Sequence, residues 1–422
     1  MSFVNLTSAA ITVVAGIILL FSLRFFFILH PRKCRGRLMY LLRDRSLKRS
    51  FFLALAGTLG VGNIYGVALG IILGGEGSVF WLFISSFFAM AIKYSESAVS
   101  VAYGSRGKGM MIPIKSSFGR LGEPIAVFYC VCTLIISLSM GAAVQSDSLI
   151  TSAAFAINSN KMLAASALLL LALPVISGGG ARIKDVTEAL IPLATLLYVF
   201  LCALAIARNL SGLDEAIRRI LSSAFSFRSA AFGVVPFVSL KALGQGFARG
   251  LLSNEAGAGS SAMAHSESDV SPADAGVLGI AEIVFDTDIL CVLTGLVIII
   301  CVDSPSRFSS PMSLVFSAFE SGVGDLSLIP LLIIIAIFAY STVICWYYYG
   351  LRAISYLGVE RGGFVYCFLF SLSILFPVFI DGSIAVYLSD ILLVLMSAPT
   401  LICLLKNRKM IIDKSRDSGF LS

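Results

Sequence analysis

The chain has 422 residues, of which 58% are hydrophobic and 13% charged, whereas ordinary soluble domains carry charge at about 25% of positions. That composition excludes a water-soluble domain, and apolar blocks of about 18 to 25 residues match the length that spans about 30 Å of hydrocarbon. The formal charge of +7 is concentrated in two short segments, which bears on membrane topology rather than on nucleic-acid binding.

Hydropathy gives eleven candidate helices, over residues 8–30, 51–73, 78–103, 121–157, 162–178, 185–207, 229–265, 272–302, 327–356, 362–380 and 383–405. The first has no basic stretch before it and no small-residue cleavage site after it, so it is expected to be a retained span. Arg32, Lys33, Arg35, Arg37, Arg43, Arg45, Lys48 and Arg49 follow it against the single acid Asp44. Lysine and arginine excess marks the cytoplasmic side, which puts the N-terminus outside. Eleven crossings then place the C-terminus inside, where Lys406, Arg408, Lys409, Lys414 and Arg416 lie. The loop around Arg106, Lys108, Lys115 and Arg120 falls inside as well, and the acidic loop from Asp303 to Asp325 outside. Arg218, Arg219 and Arg228 run against the rule. The stretch Leu213 to Phe227 around them is amphipathic and is expected to lie on the outer surface as an interfacial helix.

The nine cysteines, scattered from Cys34 to Cys403, form no CxxC pair and have no histidine beside them, the two histidines being His30 and His265. Neither a disulfide framework nor a zinc site is indicated, and the cysteines read as small buried hydrophobes.

Two spans look interrupted. The second contains GTLGVGNIYG, Gly57 to Gly66, with Asn63 at mid-span, and the seventh runs through Gly244, Gly246 and Gly250 into SNEAGAGSS, Ser253 to Ser261. Membrane glycines alone often serve close helix packing. Packing does not call for Asn63 or Glu255 beside them, and such polar groups are expensive inside a bilayer. An unpaired backbone group in hydrocarbon costs several kcal/mol, so a span that stops being helical must line a cavity, a ligand or an ion path. Spans two to six and seven to eleven form two sets of five, each opening with a break. This is the pattern of inverted repeats built around a midplane site. The expected layout is one membrane domain over 1–422: an extra N-terminal helix at 8–30, a first repeat at 51–207, a second inverted repeat at 229–405 and a cytoplasmic tail at 406–422.

These motifs resemble the sodium:alanine (alanine/glycine:cation) symporter family. The matching stretches are GVGNIYGVA at Gly60 to Ala68, GGEGSVFW at Gly74 to Trp81, KYSE at Lys93 to Glu96 and RGLLSNEAGAGSS at Arg249 to Ser261. Further on come FDTDILC at Phe285 to Cys291, FAYSTVICWYYYG at Phe338 to Gly350 and SDILLVLMSAP at Ser389 to Pro399. The resemblance implies an all-α polytopic fold, the leucine-transporter type of 5+5 inverted repeat with one extra N-terminal helix. Against the family pattern, Glu76 and Ala262 stand where proline is usual, Met110 to Ser117 lacks the usual glycine, proline and tyrosine, and Asp288 is an added acid.

An amino acid is a zwitterion, and an unwound helix offers N–H donors to its carboxylate and free carbonyls to its ammonium. The amides of Val61 and Gly62 are assigned to the carboxylate, and the carbonyls of Thr58, Leu252 and Ser253 to the ammonium. By resemblance Gln145 faces the same pocket, and Trp346, with Phe338 as a second candidate, supplies an apolar wall. Sodium wants five or six oxygens. The resemblance nominates the carbonyls of Ala56, Leu59 and Phe338 with the hydroxyls of Ser341 and Thr342. A further sodium site falls near Asn63, Ser253 and Asp286. Glu255 is expected to pair with Arg249 or Lys241 or to cap the inner half-helix, and Lys93, Glu96 and Asp286 to have structural and gating roles.

The implied function is sodium-coupled import of a small neutral amino acid, alanine or glycine and D-alanine among them, by alternating access. The setting is a bacterial-type cytoplasmic (inner) membrane, with the lipid bilayer, the amino acid and sodium as partners, no nucleic acid and no cofactor. None of the glycine stretches has the lysine and hydroxyl of a nucleotide-binding loop. Proton coupling is the alternative within the class. Outside it stand a passive pore and an intramembrane enzyme using Glu255, Asp286, Asp288 or His265.

Overall fold

The computed structural model describes residues 2–230, 233–359, 362–380 and 382–420. Among them, eight helices are long and apolar enough to cross a membrane: Arg45–Gly74, Ser78–Ala102, Gly119–Ile157, Gly179–Arg208, Pro272–Cys301, Asp325–Leu357, Gly362–Phe379 and Ile384–Lys406. They occupy eight of the eleven candidate spans. Of the remaining three, the first and fifth hold the shorter apolar helices Ala10–Ser22 and Lys161–Ser177, and the seventh is broken. Local chemistry sets several ends. Asp44 caps the second span by accepting from the Leu47 amide at 3.0 Å, Asn160 caps the fifth from Met162 at 2.8 Å, and Ser271 with Pro272 opens the eighth. Glycines in the left-handed region, Gly75 (φ 81°) and Gly358 (φ 69°), follow the second and ninth.

The first span stops earlier than hydropathy indicates. Its helix ends at Ser22, and Arg24 (φ 50°) and Phe25 (φ 56°) kink the chain before a single turn, Phe26–Leu29. The seventh begins later. Phe225–Ala230 and Gly233–Val238 pair as antiparallel strands, with Phe225 opposite Val238 and Ala230 opposite Gly233, and the helix starts only at Leu240. A short apolar run rich in valine and phenylalanine has the same hydropathy as a strand or a helix, and Pro236 favours the strand reading. Arg228 lies in the first of these strands, and its side chain is outside the described residues.

An amphipathic helix is present at Leu213–Ala224, and Phe225 to Phe227, expected to belong to it, lie in the strand that follows. Its basic residues are locally answered. Arg219 donates to the Glu76 carboxylate and to the carbonyls of Ile299 at 3.0 Å and Asp303 at 2.9 Å, and Arg218 lies 3.6 Å from Glu215. The acid standing in place of the usual proline therefore neutralises an arginine that charge bias alone would put on the other side. At the opposite end, Arg37 holds Asp274 bidentately at 2.6 and 2.7 Å. Lys48 pairs with Glu188, Arg49 with Asp185, and Glu267 with both Lys184 and Arg352. All of these segments are ones that strict alternation of crossings brings to one end of the bundle.

Spans two, three, seven and eight pack together: the third lies along both the seventh and the eighth, and the second meets the seventh. Spans four, five, nine and ten form a second group against them. Part of the glycine content serves this packing. A Cβ on Gly246 would come within 2.5 Å of the Ser78 carbonyl and 2.9 Å of the Leu82 amide, whereas one on Gly66 would meet nothing within 4 Å. Gly246→Val is therefore expected to lower the melting temperature of the purified protein sharply, through overpacking against backbone worth about 1–3 kcal/mol or more, while Gly66→Ala leaves it unchanged. Equal effects in a thermal-shift assay would show that the contact between spans three and seven is not tight.

Candidate functional site

Both expected breaks are present. In the second span, helix Arg45–Thr58 stops and helix Gly62–Gly74 begins after Leu59, Gly60 and Val61, with Leu59 at φ −75°, ψ 71°. In the seventh, helix Leu240–Ser253 gives way to a non-helical stretch that resumes only as the single turn Ala262–His265. Within it Glu255 (φ 53°), Gly257 (φ 98°) and Gly259 (φ 71°) take left-handed backbone. That conformation is costly for side chains other than glycine, so Glu255 is held there by its surroundings.

The two breaks face one cavity of about 100 Å³. Thr58, Gly62, Gln145, Leu252 and Ser253 line it, together with Gly57, Gly60, Glu255, Arg249 and Asp390. Val61 and Trp346 do not. The Val61 amide instead donates to Gln145 Oε1 at 3.2 Å, and Gln145 Nε2 donates to the Met140 carbonyl at 3.3 Å. Trp346 is fully buried behind the wall, edge-on to Tyr349 at 5.5 Å and so close to Gly141 that a Cβ there would sit 2.3 Å from its own. Gly60, in the first break, packs against the far wall: a Cβ would meet Thr342 Oγ1 at 2.9 Å and Gln145 Oε1 at 3.1 Å.

The first expected sodium constellation converges in part. Thr342 Oγ1 donates to the Ala56 carbonyl at 3.0 Å and lies 3.4 Å from that of Leu59, so the hydroxyl and two carbonyls meet at one point. Ser341 does not join them, because its hydroxyl bonds back to its own helix at Ile337. The Phe338 ring packs edge-on to Tyr198 at 6.2 Å, one turn before Thr342.

The second constellation draws in residues that sequence reasoning missed. Asn63 Nδ2 donates to Asp286 Oδ1 at 2.5 Å and to its carbonyl at 3.2 Å. Asp286 Oδ2 accepts from Thr287 Oγ1 at 2.8 Å, and Asn254 Nδ2 donates to that same hydroxyl at 3.2 Å. Among the described residues, Asn63 Oδ1 is buried and has no hydrogen-bond partner. Ser253 stands aside, with its hydroxyl 3.7 Å from Cys291 Sγ. Asn254 sits inside SNEAG and Thr287 inside FDTD, so the motifs contained both. The signal that selects them is the π-helical stretch Val284–Cys291, which carries Asp286 and Thr287 toward the break.

Beside the cavity the charged residues form a buried network. Glu96 Oε1 accepts from the amides of Gly257 at 2.8 Å and Gly259 at 3.0 Å. Lys93 Nζ donates to Ser261 Oγ at 2.9 Å and lies 3.8 Å from Glu96 and 4.0 Å from Glu282. His265 contacts Glu282 through Nε2. Glu255 pairs with neither Arg249 nor Lys241. Its left-handed backbone turns the side chain back into the loop, where it accepts from Ser260 Oγ. Capping of the unwound amides, expected of Glu255, is done by Glu96 from the third span.

Compared with known proteins, residues 6–417 match the model of the sodium:alanine symporter family. An uncharacterised transporter of Haemophilus influenzae is 30% identical over 374 residues, covering 86% of this chain and 81% of its own. The sodium/alanine symporter AgcS of Methanococcus maripaludis is 29% identical over 387 residues, covering 88% and 84%. The crystal structure of MhsT in complex with L-phenylalanine shares the fold with a TM-score of 0.60 at 14% identity, over 85% of this chain and 88% of that one. With a leucine-transporter-type bundle, two broken helices on one cavity and a family match over nearly its whole length, the chain belongs to the sodium:alanine symporter family, a family of membrane transporters and not of enzymes.

Proposed function

We propose that this protein imports a small neutral amino acid, alanine or glycine, D-alanine included, together with sodium, by alternating access across a cytoplasmic membrane. The observation that carries the reading is the shared cavity: two helices from different sets of five lose their regular hydrogen bonding at the same place and turn the freed groups toward one small space. Its volume of about 100 Å³ suits a small side chain. Residues 51–207 and 229–405 act as the two repeats, with the first two spans of each moving against the remainder. The N-terminus lies outside and the tail from 406 in the cytoplasm.

Substrate carboxylate takes the Val61 and Gly62 amides, displacing Gln145 Oε1 from Val61, and the Thr58, Leu252 and Ser253 carbonyls take the ammonium. Gln145 then has a free acceptor for the ammonium, so one amide side chain reports occupancy of the site. Sodium replaces the Thr342 hydroxyl proton as the partner of the Ala56 and Leu59 carbonyls, the Phe338 carbonyl adds to the oxygen shell, and Ser341 joins it only by turning its hydroxyl away from the Ile337 carbonyl. A second sodium uses the unpartnered Asn63 Oδ1 with Asp286.

One cation entering down about 100 mV releases about 2.3 kcal/mol, and a tenfold gradient adds about 1.4. Together these support roughly 500-fold accumulation without a nucleotide. The test is labelled-alanine uptake into proteoliposomes under an imposed sodium gradient with no pH gradient. Concentrative uptake is expected. Background uptake there, with transport driven by an inward proton gradient instead, overturns sodium coupling, and a competition panel of amino acids sets the substrate.

A further inference from the structure

At the end of the bundle that carries Arg37, Lys48 and Arg49, the ion pairs leave one face unanswered. Arg37 has Asp274, Lys48 has Glu188, Arg49 has Asp185, and Lys184 and Arg352 share Glu267. Arg32, Arg35, Arg43 and Arg45 are exposed, and among the described residues none of the four makes an ion pair. Lys33 beside them donates to a neutral group, the Gly419 carbonyl. The single acid of this stretch, Asp44, caps the second span. Five cations between Arg32 and Arg45 thus pair with no carboxylate.

Arg32 and Arg35 belong to the helix Pro31–Leu41, whose place in the fold decides what that face meets. It starts two residues after the turn Phe26–Leu29 that follows span one and ends four residues before the second-span helix opens at Arg45. Arg37 ties its middle to Asp274 in the first turn of span eight. Anchored at three span ends, the helix lies at the depth where hydrocarbon gives way to headgroups. It buries Cys34 and Leu41 against the protein. The opposite face, at 3.6 residues per turn, carries Arg32, Arg35 and Gly36 together with Met39 and Tyr40, which are 60% and 61% exposed. Leu29, 66% exposed just before it, continues the apolar outer surface of span one. Arginines flanking exposed apolar side chains are the pattern of a helix lying in the membrane interface, with its apolar atoms at the acyl boundary and its cations among the headgroups.

We propose that the face of Pro31–Leu41 bearing Arg32 and Arg35 binds the phosphate of an anionic glycerophospholipid in the leaflet at this end, with Lys33 and the crevice beside it receiving the headgroup. Guanidinium forks match phosphate oxygens two at a time, and residues three apart are neighbours on a helix surface. Gly36 keeps the face open, since a Cβ there would meet nothing within 4 Å. The crevice, of about 730 Å³, runs between this helix and the C-terminal helix Arg408–Asp417 and is lined by Lys33, Arg37, Tyr40, Lys414 and Phe420 among others. Its acids, Asp274 and Asp417, already face Arg37 and Lys414. Lys33 is the cation left for the phosphate, and lipid continuous with Leu29 covers Met39 and Tyr40.

The experiment is native mass spectrometry of the purified full chain in detergent, titrated with phosphatidylglycerol or with phosphatidylcholine of the same acyl chains. Wild type is compared with the double variant Arg32→Gln, Arg35→Gln and with a charge-matched control away from this end, Lys161→Gln, Arg218→Gln. A basic residue near an anionic surface contributes about fivefold in binding. Wild type is therefore expected to prefer phosphatidylglycerol, the Arg32 and Arg35 double variant to bind it about 25-fold more weakly, and the control to bind as wild type does. No preference in wild type, or the preference kept in the Arg32 and Arg35 variant, overturns the proposal. Full displacement by millimolar inorganic phosphate, which makes this a site for a soluble anion, also overturns it, as do lipid-free dimers lost in the variant, which make the face a contact between two copies. Should the variant fail to fold, a phosphatidylglycerol with a photoactivatable headgroup is cross-linked to wild type: label on residues 32–45 supports the site, and label only elsewhere overturns it.

Discussion

Thr342→Val and Asn63→Leu are each expected to abolish sodium-driven uptake while the protein still inserts in the membrane. The valine keeps the volume of threonine and removes one hydroxyl, the group that meets the Ala56 and Leu59 carbonyls at 3.0 and 3.4 Å. A coordination shell of five or six oxygens that loses one is expected to lose at least about tenfold in sodium affinity, or about 1.4 kcal/mol. Uptake then falls to background at ordinary sodium and recovers partly at high sodium. Asn63→Leu acts differently, because it takes both the donor held by Asp286 and the unpartnered Oδ1 out of a buried site. No sodium concentration restores it. Initial-rate uptake against sodium concentration separates the two, and wild-type kinetics in either variant removes that residue from the ion path.

Glu96→Ala is expected to have the largest effect on stability. It strips the acceptor from the Gly257 and Gly259 amides and leaves Lys93, fully buried, without the closer of its two carboxylates. Removing one partner of a buried ion pair costs about 3–5 kcal/mol, and two orphaned N–H groups add to it. Glu96→Gln keeps a side-chain oxygen for those amides and should fall between alanine and wild type. Thermal unfolding in detergent, followed by the loss of monodisperse protein, measures the order. Alanine melting with the wild type would mean that the unwound stretch of the seventh span is held by something other than this carboxylate.

Most of the architecture is legible in the sequence. Blocks of apolar residues, Asn63 amid four glycines and Glu255 in SNEAG located the spans and both breaks, because lipid leaves a chain so few ways to satisfy its backbone. Hydropathy was silent where the solvent is not lipid or where helix and strand are equally apolar. The strand pair Phe225–Ala230 and Gly233–Val238 and the kink at Arg24 and Phe25 belong to that class.

What the amino-acid order determined by itself is the membrane setting, the order of helices and the two points where they unwind, since these follow from local composition and the cost of unpaired backbone groups. What only tertiary structure decided is partnership. Ser341 bonds to its own helix while Thr342 reaches across to Ala56, and Trp346 lies behind the wall while Asn254 and Thr287 join Asn63 and Asp286. Glu96 rather than Glu255 receives the unwound amides. These choices depend on helix rotation, on a π-helical stretch that shifts side chains around the axis, and on left-handed backbone at one glutamate. Each is settled by packing between segments far apart in the chain.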